Sequence, residues 1–415
     1  MCTLPKRQAQ INPIDKMEYD IAIIGGGPAG IMAAIASGET SNVILLEKNS
    51  SLGKKLLLTG GGRCNITNNK PPKQLLSFYD KKNFLKHSFF AFTNEDLYSL
   101  FDFDFIEEDN NRIFPESEKS VDVLNGLKKH LDNVEIRLNY EVTEINDSFT
   151  INNEIKAKKV IIATGGVTYP QTGCSIDNFS LVKEPLTKIK YGLSPLITKE
   201  DLSKIAGITL NNVECSYKKS KVMGNVLVSH VGLTGPGIID LSSMISKKID
   251  YDISQNDCNL SCEINIDLIP DISREELKKK FDEDFQIKGK TQIKNYLKNF
   301  LTNNFIEYFL NRANIVQDTQ LSRINKKSKN RLIENLKRFT FEIVDFNRNL
   351  AKVTIGGIDT KNINPKTMES KITPNLYFAG EILDLDGPTG GYNLKIAFST
   401  GYLAGISANA NNNSA

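Results

Sequence analysis

The sequence predicts an α/β protein in which both ends of the chain build one parallel sheet and the middle forms an insertion. Three observations carry this expectation. Short, nearly all-apolar runs stand at 19–24 ("YDIAII"), 42–48 ("NVILLEK"), 158–166 ("KKVIIATGG") and 375–383 ("NLYFAGEIL"), the pattern of strands buried on both faces. Glycine-rich turns follow the first, third and last of them. Between residues 191 and 345 the pattern changes to short alternating strands and then to helical spacing, before buried strands return.

Composition sets outer limits. The 415 residues suffice for two or three domains. Lys and Arg number 52 against 49 Asp and Glu, a net charge of +3, which argues for neither a nucleic-acid nor a membrane partner. No apolar run reaches membrane-spanning length, and the expectation is a cytoplasmic protein. Six scattered cysteines make a disulfide framework an unsuitable reading. Cys258 and Cys262 lack a second cysteine pair or a nearby His, so no metal site is expected.

Residues 1–16 read as a polar tail, with Met17 as the structured start. The first segment of the nucleotide domain spans 17–190. In "GGGPAG", Gly25 permits a tight turn, Gly27 lets a pyrophosphate approach the backbone, and Gly30 lets helix and strand pack closely. Pro28 and Ala29 open a helix whose free N–H groups and partial positive charge face the phosphates. Glu47 ends the next strand about 20 residues on, placed to accept ribose hydroxyls, and Lys48 follows it. Lys54 and Lys55 suit phosphate, adenosine ribose or solvent equally.

"TGGGRCNITNN", from Thr59 to Asn69, is a second glycine loop. Gly60, Gly61 and Gly62 allow backbone approach to a long cofactor, and Arg63 offers fixed donors or a structural ion pair. Asn65, Thr67 and Asn68 can donate and accept. Further on, "VEIRLNYEVTEI" and "SFTINN" alternate and suggest a small antiparallel sheet. Residues 191–345 read as an inserted β-domain with a helical subdomain at about 270–338, where Ile293, Tyr296, Leu297, Phe300 and Leu301 keep helical spacing.

The second segment, 346–408, decides between NAD and FAD. A buried strand delivers Gly380 and Glu381 toward a ribityl chain. Gly390 and Gly391 allow backbone N–H groups near a flavin. A helix beginning near Asn393 and Leu394 points its N-terminus at the ring, where reduced flavin carries negative charge. The expected cofactor is FAD, noncovalent because no His or Cys stands in a flavin-linking motif. Residues 409–415 read as a disordered tail.

"GGGPAG", "GKKLLLTGGGRCNITN", "VIIATGG", "SHVGLTGPG" and "LYFAGEILDLDGPTGGYNLKIAFSTGYLAG" together resemble a bacterial flavoprotein family of conserved hypothetical NAD(P)/FAD-dependent oxidoreductases. Its relatives include aminoacetone oxidase and the flavin reductase of bile-acid 7-dehydroxylation. The resemblance runs from Tyr19 to about Gly405. It implies a two-segment Rossmann-like FAD-binding domain interrupted by a β-domain with a small helical subdomain. It also implies flavin contacts at Gly62, Arg63, Cys64, Asn65 and Thr67, an adenine contact near Val142, and a turn at Thr164, Gly165 and Gly166 that closes over the dinucleotide. His230 matches a family position. With Arg63 it is the candidate catalytic side chain, although a structural role fits it as well. The family's glycines after "ATGG" are replaced here by Cys174, Ile176 and Asn178, which alters the substrate side.

The function expected is an FAD-dependent oxidoreductase moving hydride between flavin and a small organic substrate. No second dinucleotide loop exists, so NAD(P)H would dock only transiently. Two alternatives stand beside it: a flavoprotein that modifies nucleic acid such as tRNA, through the basic stretch "RINKKSKNRLIENLKR", and a non-enzymatic flavin sensor. Substrate and oligomeric state are unassigned.

Overall fold

The structure, a computed structural model, describes residues 17–255 and 260–410. The two expected tails therefore lie largely outside the described residues, as does Cys258. Strand β1 (Met17–Ile24), helix α1 (Pro28–Ser37) and strand β2 (Val43–Leu46) form the first βαβ unit. β1 is the middle of five parallel strands. Their order is Leu376–Phe378, Ile155–Ile162, β1, β2, Val134–Arg137. The apolar runs are central because both faces are covered.

Two expectations change here. Val134–Arg137 is a parallel edge strand beside β2 rather than part of an antiparallel sheet. As the edge strand it is only partly covered, with Val134 buried and Glu135 and Ile136 exposed. Thr150–Ile151 turns back antiparallel on Ile155–Ile162, and Ile145 at the end of the first run makes a single antiparallel bridge with Ile151. The last helix runs Tyr392–Ala410, past the expected end at 408. It lies against α1, and Gly401 and Gly405 permit the approach: a Cβ at either would strike the backbone of Ala29 or Ala33.

The middle of the chain closes a six-stranded antiparallel barrel. Its order is Leu196–Thr198, Gly232–Thr234, Ser220–Ser229, Thr209–Tyr217, Cys262–Asp267, Phe339–Phe346. The helix Pro236–Lys248 packs on the barrel where Gly224 and Gly237 meet. Four helices (Arg274–Ile287, Ile293–Leu297, Asn303–Arg312, Lys326–Lys337) follow the fifth strand. The first starts at Ser273 because Ser273 and Glu276 form a reciprocal capping box. Phe281, Tyr296, Phe305 and Phe309 fill the space between these helices and Phe339. One apolar core gathers Tyr19 to Ile189 and Ile358 to Ala408, and a second gathers Leu196 to Phe346. Between them Lys190–Gly192 pairs with Val353–Ile355, where the chain leaves and re-enters the parallel-sheet part.

Candidate active-site cleft

A cleft of about 1950 Å³ lies between the carboxyl ends of the parallel strands and the barrel, the place where open α/β sheets hold ligands. Gly25, Gly27, Pro28 and Ala29 line one end. Gly25 has φ +103°, which a side chain would resist. The first turn of α1 carries no side-chain cap, and Gly27, Pro28 and Ala29 at its start line the cleft. Nothing stands within 4 Å of where a Gly27 Cβ would be. Beside this turn, Glu47 accepts from the Gly26 N–H (2.7 Å) and from Asn49 N (2.8 Å). Lys48 pairs with Glu141 at 3.6 Å, and Lys54 donates to Asn49 Oδ1 at 3.0 Å. Val142, Thr164 and Gly165 line the same end.

The second glycine loop reaches the cleft through Gly60, Gly61, Arg63 and Asn65. Gly60, Gly61 and Gly62 all have positive φ. From the C-terminal segment come Glu381, Gly390, Asn393 and Leu394. Glu381 pairs with Lys55 at 2.6 Å and accepts from Thr354 N at 2.8 Å. Burial alone would depress the Lys55 pKa, but Glu381 outweighs it and holds the ammonium above its ordinary value. The Asn393 amide ties its own loop, accepting from Gly387 N and donating to Gly387 O.

Several expected contacts stand one layer behind the lining. Gly30 packs helix to strand, with its Cβ position on the Gly25 carbonyl. Gly166 leaves room for Thr354 and Glu381, Gly380 for Ala29, and Gly391 for the Thr67 backbone; their freedom serves chain packing. Gly62 sits beside the lining residues Gly61 and Arg63. Thr67 is buried and donates to Asn94 Oδ1 at 2.9 Å. Arg63 lines the cleft, but its guanidinium is ion-paired with Glu108 and Glu118 and lies 4.2 Å from the Phe114 ring centroid. His230 is exposed at the turn after Ser220–Ser229, outside the cleft. Its motif instead fixes the strand-to-helix turn, where a Cβ on Gly235 would meet the Asn225 carbonyl.

Cys64 is fully buried outside the lining, and burial pushes its thiol up to about 12. A thiol so held is not a nucleophile at neutral pH. Cys64→Ser is therefore expected to retain FAD and to be reduced within about tenfold of the wild-type rate, about 1.4 kcal/mol in barrier. Stopped-flow reduction measures this; a thousandfold loss with flavin still bound would contradict it.

The barrel side supplies residues that no local signal marked. Asp240 accepts from Thr389 N (2.8 Å) and Thr389 Oγ1 (2.9 Å). Lys247 bridges Asp386 (2.8 Å) and Asp80 (2.7 Å). Burial raises the pKa of both Asp240 and Asp386, opposed by the Thr389 bonds at the first and by Lys247 at the second. These pairs join segments some 140–170 residues apart, so sequence spacing could not reveal them.

A profile of the HI0933-like protein Rossmann domain matches residues 19–407. The chain belongs to the HI0933-like family. As a member of this flavoprotein family it is an FAD-dependent oxidoreductase. Similar proteins include a 3-dehydro-bile acid delta(4,6)-reductase of Clostridium scindens, 28% identical over 94% of this chain and 98% of its own length. A ribosomal RNA dihydrouridine synthase of Escherichia coli is 28% identical over 92% of this chain and 96% of its own. That of Haemophilus influenzae is 28% identical over 93% and 97%.

The residues of this HI0933-like protein suit FAD. The uncapped turn of α1 and the open face of Gly27 fit a pyrophosphate. Thr164 Oγ1 is buried at the cleft without a hydrogen-bond partner, the condition of a hydroxyl shaped for a ligand. Among the described residues no group of His, Cys, Asp and Glu could hold a metal, and no helix is long and apolar enough to cross a membrane.

Proposed function

We propose that the protein transfers hydride between bound FAD and an organic substrate, reducing a carbon–carbon double bond conjugated to a carbonyl. The observation that carries this is one cleft shared by the dinucleotide loops and the barrel side, lined by two carboxyl groups of raised pKa, Asp240 on the barrel helix and Asp386 on the C-terminal segment. FAD supplies the hydride chemistry when bound. Gly25, Gly27, Pro28 and Ala29 would hold its pyrophosphate, Glu47 its ribose, and Val142 its adenine side. Asn65, Asn393 and Leu394 would border the ring. The first turn of Tyr392–Ala410 would stabilise negative charge there by roughly 0.3–1 kcal/mol. Asp240 and Asp386 would be the candidates to relay the proton that accompanies hydride, since they line the cleft and burial raises both carboxyl pKa values. The names of the relatives support the reaction class: a delta(4,6)-reductase acts on a double bond, and dihydrouridine is uridine reduced at one. The barrel insertion, 191–345, would build the substrate side, with NAD(P)H docking transiently as donor.

A second reading places that double bond in an RNA base. Residues 270–338 hold sixteen Lys and Arg against nine Asp and Glu, and two relatives bear RNA-modifying names.

The protein is expected to purify yellow, to release FAD on acid precipitation, and to be bleached anaerobically by NADPH or NADH. Reoxidation by an enone faster than by buffer alone supports the leading reading. A gel shift with RNA that weakens steeply with salt supports the second. FMN in the supernatant, or reoxidation by air alone, would count against the proposal.

A further inference from the structure

The cleft of about 1950 Å³ is roughly twice what encloses one drug-sized ligand, so it can take cofactor and substrate together. Its barrel-side mouth carries large apolar side chains that remain open: Phe78 is 44% exposed, Met223 50% and Met244 38%, and all three line the cleft. Apolar surface kept open beside charged groups marks a binding site. Phe78 packs on Tyr392 with ring centroids 4.9 Å apart. Tyr392 is the first residue of the C-terminal helix, whose next residues border the proposed ring position. Two residues after Phe78, Asp80 reaches Lys247 on the barrel helix, so the Phe78 loop faces the helix that bears Met244. Cations flank this mouth. Lys70 Nζ stands 5.4 Å from the Phe78 centroid and donates to the neutral oxygens of Asn68 and Asn110. Lys248 donates to Ser220 Oγ at 2.6 Å.

We propose that Phe78, backed by Tyr392, is the stacking platform for the substrate's planar conjugated ring, and that Lys70 and Lys248 receive an anionic group on the same molecule. Aromatic faces accept planar rings without regard to their substituents, and the lysines then select for negative charge. Met223 and Met244 supply an adaptable apolar wall. This rests on the hydride-transfer reading and adds to it the chemical class of the substrate. A free steroid carboxylate and a nucleotide within RNA both offer a flat conjugated ring joined to an anion.

The test uses holoprotein and two probes, a 3-oxo-4-ene steroid carboxylate and a uridine-containing RNA hexamer, each titrated against the flavin absorbance band. At least one probe is expected to shift the band saturably, and which one does so identifies the source. Phe78→Ala should weaken that probe at least tenfold, Phe78→Tyr should stay within threefold of wild type, and both should keep stoichiometric FAD. Lys248→Ala should weaken the acid but not its methyl ester. An unchanged dissociation constant in Phe78→Ala, or loss of FAD from it, would overturn the platform. Binding of neither probe by wild type that holds reducible FAD would overturn the ligand class. Wild type lacking reducible FAD would instead sink the hydride-transfer reading itself.

Discussion

Gly30→Ala is expected to purify without FAD and with a fold weakened by about 2–3 kcal/mol. A Cβ at Gly30 would drive into the carbonyl oxygen of Gly25 and touch Ala163 Cβ. Gly25 cannot yield, because it sits at φ +103° with its own Cβ position against the backbone of Ala163. Backbone meets backbone here, so no rotamer change relieves the overlap. The gain in helix propensity, at most about 1 kcal/mol, does not offset it. The turn must move, and the N–H groups proposed to hold the pyrophosphate move with it. Gly27→Ala is the informative partner. Nothing lies within 4 Å of its Cβ, so the apoprotein should keep its stability while FAD binding falls. Flavin stoichiometry and urea unfolding of the apoproteins check both. Stoichiometric FAD in Gly30→Ala would refute the packing argument.

Lys395→Met is expected to stabilise the protein at neutral pH by an amount on the order of 4 kcal/mol, and to remove a pH dependence. Lys395 is 1% exposed in the C-terminal helix. Its Nζ donates to the Phe92 carbonyl at 2.8 Å and lies 5.7 and 5.6 Å from the Phe89 and Phe92 rings. Burial pulls its pKa down to about 7 from 10.5, against a weaker opposing pull from Asp96 and Glu95. The folded state therefore binds fewer protons than the unfolded chain between pH 7 and 10.5. The destabilisation is fully present below about pH 7 and is lost as pH rises toward 10.5, at about 1.4 kcal/mol per unit. Methionine fits the volume without a charge. The Phe92 carbonyl keeps Ser399 Oγ as a neighbour at 3.4 Å. Urea midpoints from pH 6 to pH 10 should rise for wild type relative to the variant. Parallel curves would mean that Lys395 titrates normally.

What the sequence alone determined lies in the backbone. β1, the "GGGPAG" turn, α1, β2 and the C-terminal strand and helix were legible because buried parallel strands demand continuous apolar runs and tight turns demand glycine. The same glycine motifs pointed to residues that line one end of the cleft. Their division of labour was less legible. Gly27 lines the cleft whereas Gly30, Gly166, Gly380 and Gly391 release space for neighbouring chain, and a string of residues does not say which side of a glycine is crowded. Side-chain commitments were decided only by the tertiary structure. Arg63 finds Glu108 and Glu118, Lys55 finds Glu381, and Lys247 joins Asp80 to Asp386. His230 turns outward and Cys64 inward. A charge takes whichever partner the fold delivers within a few ångströms, and the residues that meet across this cleft come from segments that closure of the barrel against the parallel sheet brings together.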